Sequence, residues 1–214
     1  MALHLKWFTF NPFSENTYIL YGDNKECIFF DPGCSNINEE NSILEFIEEK
    51  QLKPVRLILT HAHIDHVLGV RFIAQKFNLK LEMHQADLPL YDSAGNVARM
   101  YGIHFNQGPQ PEVFLNENDK IDLDGFTLDI FHTPGHSLGS ICFYSKQNNF
   151  VISGDVLFNG SIGRTDLPGG NFDTLSKSIK SKLYTLPDNT RVFSGHGEST
   201  LIGNEKMNNP FVKA

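Results

Sequence analysis

The segment THAHIDH (60–66) carries three histidines and one aspartate directly after the apolar run VRLILT. Its candidate ligands are His61, His63, Asp65 and His66. Neutral imidazole and carboxylate groups bind zinc, iron and manganese. In an extended chain His61 and His63 point the same way, and Asp65 and His66 follow where the chain bends into a helix. The four groups can therefore face one space from two sides. A loop that is merely rich in histidine is the competing interpretation.

Three further candidate ligands repeat one local plan. His136 lies in HTPGHS, Asp155 in SGDVLF and His196 in SGHG. Each follows an apolar strand and a tight turn, and loops at one rim of a rigid scaffold are where sites are built. Together with the THAHIDH residues they make a set large enough for two metal ions that share one carboxylate.

The first half of the chain alternates predicted strands with helices. LHLKWFTF, NTYILYG and KECIFFDPG have the composition of strands, and NINEENSILEFIEEKQL carries a helical apolar stripe. VRLILT predicts a strand that is buried on both faces, a helical pattern starts at Val67, and LKLEMH predicts another strand. Residues 91–112 contain Gly, Asn, Gln and Pro, which predicts a long surface excursion that borders the site.

The second half returns to strands and one helix. KIDLDGFTLDIFHT predicts a hairpin that turns at Asp124 and Gly125, and SICFYSKQNNFVISGD predicts a hairpin that turns near Asn148 and Asn149. FDTLSKSIKSKLYTL predicts an amphipathic helix, and TRVFSGHG predicts a final strand. This order favours an α/β fold in which two sheets are covered by helices.

Composition narrows the class of protein. The 214 residues suit one domain, and the net charge of −7 without a basic stripe argues against nucleic-acid binding. No apolar run is long enough for a membrane span, and the N-terminus lacks the pattern of a signal peptide. The three cysteines have no CxxC spacing and are typical of reduced thiols. We therefore expect a cytoplasmic protein without a membrane or nucleic-acid partner; its oligomeric state is left open.

The motifs together resemble those of the metallo-β-lactamase superfamily. THAHIDH, HTPGHS, SGDVLF and SGHG occur in this order, and ENTYI, FDPG and GSIGRTDLPGG are similar to those of the glyoxalase II-like hydrolases, in their short single-domain type. The resemblance covers about residues 15–198. It implies a four-layer αβ/βα sandwich with two mixed sheets flanked by helices. It also implies a single domain over residues 1–214, without the C-terminal helical glutathione-binding domain, since 18 residues follow His196.

The resemblance assigns a ligand set to each of two divalent metal ions. Zinc is preferred, and iron or manganese is compatible with the same donors. The first metal would be held by His61, His63 and His136, the second by Asp65, His66 and His196, and Asp155 would bridge them. A metal-bound hydroxide would attack the substrate, with Asp65 also orienting the nucleophile as a catalytic residue.

The substrate expected from the resemblance is a small-molecule thioester, of the hydroxyacylglutathione type such as S-lactoylglutathione. Arg164, in GRTD, is a candidate clamp for the substrate's carboxylate, and a salt-bridged loop arginine is the alternative. The runner-up function is an iron-dependent persulfide dioxygenase of the same fold, with iron on His61, His136 and Asp155. A β-lactamase and a nuclease fit less well. A metal-stabilised binding module is the non-enzymatic alternative, against which the absence of thiolates argues.

Two histidines have open roles, whereas Cys34 and Tyr18 are expected to be structural. His132 is either a partner of a metal ligand or an ordinary strand histidine, and His84 lies either near the site or in a capping position. Cys34 follows DPG but is interpreted as structural, because nothing in the sequence activates its thiol. Tyr18 is expected to pack beneath the site rather than react.

Overall fold

Alternating side chains on the first strands set the layering of the protein. In the computed structural model, which describes residues 2–213, Leu20, Ile28 and Phe30 face the space between two sheets, whereas Ile19 and Phe29 face helices. Successive strand residues point to opposite faces, so a continuously apolar strand is buried on both. The expected α/β fold, a four-layer αβ/βα sandwich with two mixed sheets flanked by helices, is confirmed.

The first sheet and its helices come from the N-terminal half of the chain. Its strands are β1 (Leu3–Phe10), β2 (Glu15–Gly22), β3 (Glu26–Phe30), β4 (Lys53–Ile58), β5 (Leu81–Met83) and β6 (Val113–Phe114). They pair in chain order, antiparallel from β1 to β3 and parallel from β3 to β6. The helices are α1 (Ile37–Lys50), α2 (Ile64–Val67), α3 (Val70–Phe77) and α4 (Leu88–Met100).

The second sheet comes from the C-terminal half. Its strands are β7 (Lys120–Leu123), β8 (Phe126–His132), β9 (Ile141–Ser145), β10 (Phe150–Gly154), β13 (Arg191–Ser194) and β14 (Thr200–Leu201). A separate hairpin consists of β11 (Leu157–Phe158) and β12 (Ser161–Ile162). The helices of this half are α5 (Phe172–Ser178) and α6 (Ile202–Asn208). The sheet order is β14-β13-β10-β9-β8-β7. Among residues 2–213, no helix combines the length and the apolarity that a membrane span requires.

The sequence predicted most of these elements, and two predictions were wrong in part. Residues 91–112 are not one surface excursion, because α4 continues to Met100 and buries Tyr91, Ala94 and Ala98 on one face. Burial of this stripe outweighs the weak helix propensity of Gly95, which costs about 1 kcal/mol relative to alanine. The helix predicted over 172–186 ends at Ser178 and continues as a π-helical turn, Ile179–Leu183.

Both predicted hairpins are confirmed. β7 and β8 are joined by Asp124 and Gly125, which have positive φ angles of 49° and 79°. Two such residues in succession match the right-handed twist of the flanking strands. The second hairpin joins β9 to β10, and Asn149 at its turn also has a positive φ, of 55°. These turns fix the register that carries β8 and β10 to the same edge of the sandwich.

The carboxylate of Asp87 connects loops from the two halves. It accepts hydrogen bonds from the amide of Ala62 (3.0 Å), the hydroxyl of Ser137 (2.8 Å) and the amide of Gly139 (2.6 Å), and it is fully buried. Ala62 lies between His61 and His63, and Ser137 follows His136. One buried acceptor therefore sets the distance between the loops that carry three predicted ligands.

Replacing Asp87 by alanine should lower the free energy of unfolding by about 3 kcal/mol, because two backbone amides and a hydroxyl would be buried without their acceptor. Urea unfolding followed by circular dichroism measures this change. Asp92→Ala is the matched control on the exposed side of α4 and should change stability by less than about 0.5 kcal/mol. Equal unfolding midpoints for the two variants would contradict the role of Asp87.

Candidate metal centre

The predicted ligands lie together at one edge of the sandwich, on loops that leave four strands. After β4 come His61 and His63, then Asp65 and His66 in α2; after β8, β10 and β13 come His136, Asp155 and His196. Asp65 and His66 lie in the first turn of α2, which begins three residues before the predicted helix start at Val67. The structure thus brings all seven side chains together, and their role as metal ligands stays a prediction.

Three imidazoles converge on one point. His63 Nδ1 lies 2.8 Å from His136 Nε2, and His136 Nε2 lies 3.2 Å from His61 Nε2. His61 is 2% exposed and His136 is 2% exposed, so water has little access to their rings. The convergence of three lone-pair nitrogens is the arrangement that a shared cation would stabilise.

A second group lies beside the first. Asp65 Oδ2 lies 3.1 Å from His196 Nε2 and 3.6 Å from His66 Nε2. Asp155 stands between the groups, with its Oδ2 3.5 Å from His136 Nε2 and 3.4 Å from His196 Nε2, and its Oδ1 3.4 Å from His66 Nε2. This position suits a carboxylate shared by two cations.

Acceptors on the protein orient the rings by binding the nitrogens that point away from the centre. His136 Nδ1 lies 2.8 Å from the Arg164 carbonyl, and His196 Nδ1 lies 3.1 Å from the Phe13 carbonyl. His61 Nδ1 lies 3.1 Å from the hydroxyl of Thr60. Such contacts fix the tautomer that leaves the inward nitrogen free to bind metal.

Asp31 is a candidate functional residue that was not predicted from the sequence. Its carboxylate accepts hydrogen bonds from the Thr60 amide and hydroxyl, each 2.6 Å, and its Oδ2 lies 3.1 Å from His66 Nδ1. Asp31, His61 and His66 are close enough together to form a further ligand group. Because both Asp31 oxygens are engaged by Thr60, we assign Asp31 to orienting His66 rather than to binding metal. The aspartate of FDPG, after strand β3, was the signal for it.

Two glycines let the chain reach the centre. Gly154 ends β10 with a φ of 50°, which turns the chain so that Asp155 leaves the sheet. A Cβ on Gly195 would lie 2.1 Å from Asp155 Oδ1, so only glycine fits between β13 and the carboxylate. The SGD and SGHG motifs therefore carry glycine for two different steric reasons.

The residues present fit a pair of divalent cations. His66 Nε2 and Asp155 Oδ1 are buried, and neither makes a hydrogen bond within residues 2–213, because their mutual 3.4 Å contact lacks hydrogen-bond geometry. A buried polar atom without a partner costs about 1–3 kcal/mol, which a bound cation would offset. Five imidazoles and two carboxylates form a donor set that zinc, iron and manganese all accept.

The histidines of the metal-free centre differ in their protonation states. Burial lowers the pKa of His61 far below its usual value and that of His63 to about 4, so both rings are neutral. Burial also opposes charge on His196, but contacts with Asp155 and Asp65 outweigh it and raise the pKa to about 10. The same carboxylates outweigh burial at His66 and raise its pKa well above the usual value.

Arg164 lines the cavity in front of the centre, but its guanidinium is engaged. Its Nε and Nη2 each lie 2.7 Å from an oxygen of Asp166, in an exposed bidentate ion pair. This matches the alternative of a salt-bridged loop arginine, and a substrate contact by Arg164 stays a prediction. Its backbone carbonyl has a separate role, as the acceptor for His136.

The remaining candidates lie outside the ligand set. His84 and His132 stack on each other with ring centroids 4.2 Å apart, and His132 Nε2 lies 2.9 Å from the Leu138 carbonyl. Cys34 is buried, and burial raises the pKa of its thiol, as expected for a structural cysteine. Tyr18 donates to the Ser194 carbonyl at 2.6 Å beneath the SGHG loop, in line with the packing role.

The centre opens onto a cavity of about 510 Å³. The ligands that line it are His63, Asp65, His136, Asp155 and His196. His61 and His66 lie behind them and are almost fully buried. A cavity of this size takes a small molecule, with its reacting atoms against the metal centre.

Comparisons with known proteins agree with this geometry. A family model described as the metallo-beta-lactamase superfamily matches residues 10–196. The chain is 40% identical to the probable metallo-hydrolase YqgX of Bacillus subtilis over 212 residues, 97% of this chain and 98% of that protein. It is 36% identical to the hydroxyacylglutathione hydrolase GloC of Haemophilus influenzae over 204 residues, 94% of each protein.

Two solved structures are similar over nearly the whole chain. BLEG-1, described as a B3 metallo-beta-lactamase, has a TM-score of 0.90 and 36% identity, covering 99% of this chain and all of that one. TTHA1623, solved in a di-iron-bound form, has a TM-score of 0.86 and 38% identity, covering 97% of this chain and all of that one. The names of these relatives differ in the activity they give, and one of the two structures contains two irons.

Asp31→Asn should weaken zinc binding by about 10- to 100-fold, because an amide orients His66 less well than a carboxylate does. Competition with a chromophoric chelator measures the affinity. Asp129→Asn changes a half-exposed carboxylate on β8 that lies 3.8 Å from Lys120; it is the control and should bind zinc like the unmodified protein. Unchanged affinity in Asp31→Asn would remove this residue from the centre.

Zinc binding at pH 7.5 should release at least about two protons per chain, because His66 and His196 are protonated in the metal-free protein and must lose their protons to bind metal. Ionisation of a metal-bound water would add to this count. The release should decline as the pH approaches 10. Titration of metal-free protein in a weakly buffered indicator solution counts the protons. Release of fewer than one proton per chain would show that these rings are already neutral.

Proposed function

This chain belongs to the metallo-beta-lactamase superfamily, and from that premise we propose that it is a metal-dependent hydrolase of thioesters, with hydroxyacylglutathione-like compounds as the substrate class. The observation that carries the proposal is Asp155, whose two oxygens lie between two groups of inward-facing nitrogens at the wall of a cavity. Structural zinc sites are closed and often rich in thiolates. This centre contains no cysteine and faces a cavity.

When bound, two divalent ions supply Lewis acidity, lower the pKa of water and leave the centre net positive, because the ligand set contains only two carboxylates. The chain's own residues position the reactants. Asp65 lines the cavity and can accept the proton of the attacking water, while its contact with His196 holds it in place. The buried rings of His61 and His66 exclude water from the rear of the centre.

The shortage of proton donors in the cavity favours a thioester. Apart from the predicted ligands, the polar side chains that line it within residues 2–213 are Ser93, Tyr101 and Arg164. An amine leaving group needs a general acid, whereas a thiol has a pKa near 8.5 and can depart as the thiolate. A thioester therefore demands less of these residues than the amide of a β-lactam.

GloC supports the narrower substrate class. That protein is named a hydroxyacylglutathione hydrolase, and the match covers 94% of its length. S-Lactoylglutathione is accordingly the first substrate to test. Arg164 would contribute by exchanging Asp166 for a substrate carboxylate, which a bidentate guanidinium accepts in the same geometry.

A persulfide dioxygenase is the second candidate. His61, His136 and Asp155 adjoin one another, with 3.2 Å between the two Nε2 atoms and 3.5 Å from His136 Nε2 to Asp155 Oδ2. Two histidines and one carboxylate form the ligand set of many iron oxygenases. The similar TTHA1623 structure contains two irons, so iron is a metal that this scaffold accepts.

Asp65→Asn should lower kcat for S-lactoylglutathione at least about 100-fold, because an amide cannot accept the proton of the attacking water. Thiol release is measured on protein loaded with zinc, iron or manganese, with metal content determined in parallel. Asp92→Asn, on the exposed side of α4, is the control and should keep full activity. An Asp65→Asn variant that retains more than a tenth of kcat would contradict the role of Asp65.

The same preparations distinguish the candidate functions. A β-lactam is included among the substrates, and oxygen uptake is followed with glutathione persulfide. Thioester hydrolysis without oxygen uptake supports the proposal. Oxygen consumption by the iron-loaded protein without thioester turnover would replace it with the dioxygenase.

A further inference from the structure

The wall of the cavity that faces the metal centre is apolar. Beyond the predicted ligands, most of its lining consists of carbon surface, contributed by Phe13, Ala62, Ile64, Leu90, Ala94, Val97, Phe158, Ile162, Leu167 and Pro168. Apolar surface around a void loses contacts that an apolar ligand would restore. Metal binding does not require this apolar lining, so we attribute the lining to substrate binding.

Helix α4 supplies one continuous strip of the wall. Leu90, Ala94, Val97 and Tyr101 are spaced at intervals of three or four residues, so they lie on one face, and all four line the cavity. Tyr101 follows the helix and is 54% exposed at the cavity. A large aromatic side chain that remains half exposed beside a cavity is available to cover a bound molecule.

Two phenylalanines continue the apolar lining beyond α4. Phe13 packs edge-on against Tyr101, with ring centroids 5.4 Å apart. Phe158 comes from the small β11–β12 hairpin and packs edge-on against His196 at 6.1 Å. Through Phe158 the apolar wall meets a predicted metal ligand, so a group bound against this wall lies beside the reacting bond.

Charged partners for a substrate are scarce here. Within residues 2–213, Arg164 is the single lysine or arginine that lines the cavity, and Asp166 already neutralises it. The glutathione part of a thioester carries two carboxylates and one ammonium group, which need partners or water. These charges fit the solvent better than the wall.

A second cavity extends the apolar space. It has a volume of about 260 Å³ and shares Leu90, Ser93 and Pro168 with the first, and Leu138 and Pro89 also line it. Leu138 is 56% exposed. The two cavities together offer more apolar surface than a lactoyl group can cover.

We propose that this cavity binds an apolar group of the substrate, so that the protein selects thioesters carrying a sizeable hydrocarbon or aromatic group next to the scissile bond. The apolar group lies on either the acyl side or the thiol side of the scissile bond, and the same apolar contacts would recognise it in both positions. The inference rests on the proposed thioesterase function and adds the property by which substrates are chosen. Leu90 and Val97, on the α4 strip, are the residues to which we assign this specificity.

Three matched thioesters test the preference on metal-loaded protein. S-Lactoylglutathione is the polar reference, S-mandeloylglutathione adds a phenyl group on the acyl side, and the lactoyl thioester of benzyl mercaptan adds one on the thiol side. Burial of a phenyl group should raise kcat/KM at least about tenfold over the reference for one of the two. The compound with the higher kcat/KM shows whether the apolar group lies on the acyl or the thiol side of the scissile bond. If both gain less than tenfold, the inference is overturned.

Substitutions in α4 test whether the substrate preference arises from the apolar wall of the cavity. Val97→Thr keeps the shape but adds a hydroxyl, and Leu90→Asn replaces carbon surface by an amide. Each should reduce the preference, expressed as the ratio of kcat/KM for the apolar and reference thioesters, by about threefold or more. Met100→Gln changes an exposed apolar residue of the same helix that does not line the cavity, and it should leave the ratio unchanged. An unchanged ratio in both wall variants would overturn the assignment.

Binding of thioethers separates this inference from the proposed function, because thioethers are not hydrolysed. By calorimetry, S-benzylglutathione should bind at least about tenfold more tightly than S-methylglutathione, and Val97→Thr should reduce the difference. If no thioester is turned over but this difference is found, the proposed function fails and the apolar site stands. If thioesters are turned over but neither phenyl-bearing thioester is preferred and the two thioethers bind equally, the apolar site fails and the proposed function stands.

Discussion

The buried contact between Asp31 and Thr60 is the interaction on which the centre depends. β3 and β4 are parallel neighbours, and the carboxylate directly after β3 accepts hydrogen bonds from the amide and the hydroxyl of Thr60, two residues after β4. From this fixed point the chain proceeds directly into the THAHIDH ligands. The same carboxylate lies 3.1 Å from His66 Nδ1, and the Thr60 hydroxyl lies 3.1 Å from His61 Nδ1. One ion-dipole cluster thus orients a ligand from each of the two groups.

Asp87 repeats this principle across the sandwich, where it holds the loop of His61 and His63 against the loop of His136. Rigid strand ends and buried acceptors give the donor atoms fixed positions before metal binds, which reduces the conformational cost of binding. The proposed substrate wall is built differently, largely from α4 and the β11–β12 hairpin. In this proposal, α4 and the β11–β12 hairpin contribute to substrate choice without carrying a predicted metal ligand.

The sequence predicted the candidate centre better than its surroundings. His136, Asp155 and His196 each follow an apolar strand and a glycine, a pattern that depends on local sequence alone. Asp31 was missed because its role requires the pairing of β3 with β4, which joins residues far apart in the chain. Helix α4 was missed because Gly95 and Asn96 are poor helix formers, whereas its stability comes from burial of Tyr91, Ala94 and Ala98. The helical spacing of its apolar residues was the signal that could have outweighed them.

A crystal structure of the zinc-soaked protein, with anomalous scattering recorded at the zinc edge, tests the central claim most directly. Two peaks are predicted, each about 2.0–2.2 Å from its ligand atoms. The first should contact His61 Nε2, His63 Nδ1 and His136 Nε2, the second Asp65, His66 Nε2 and His196 Nε2, with Asp155 between them. A single peak, or peaks away from these atoms, would contradict the two-metal centre.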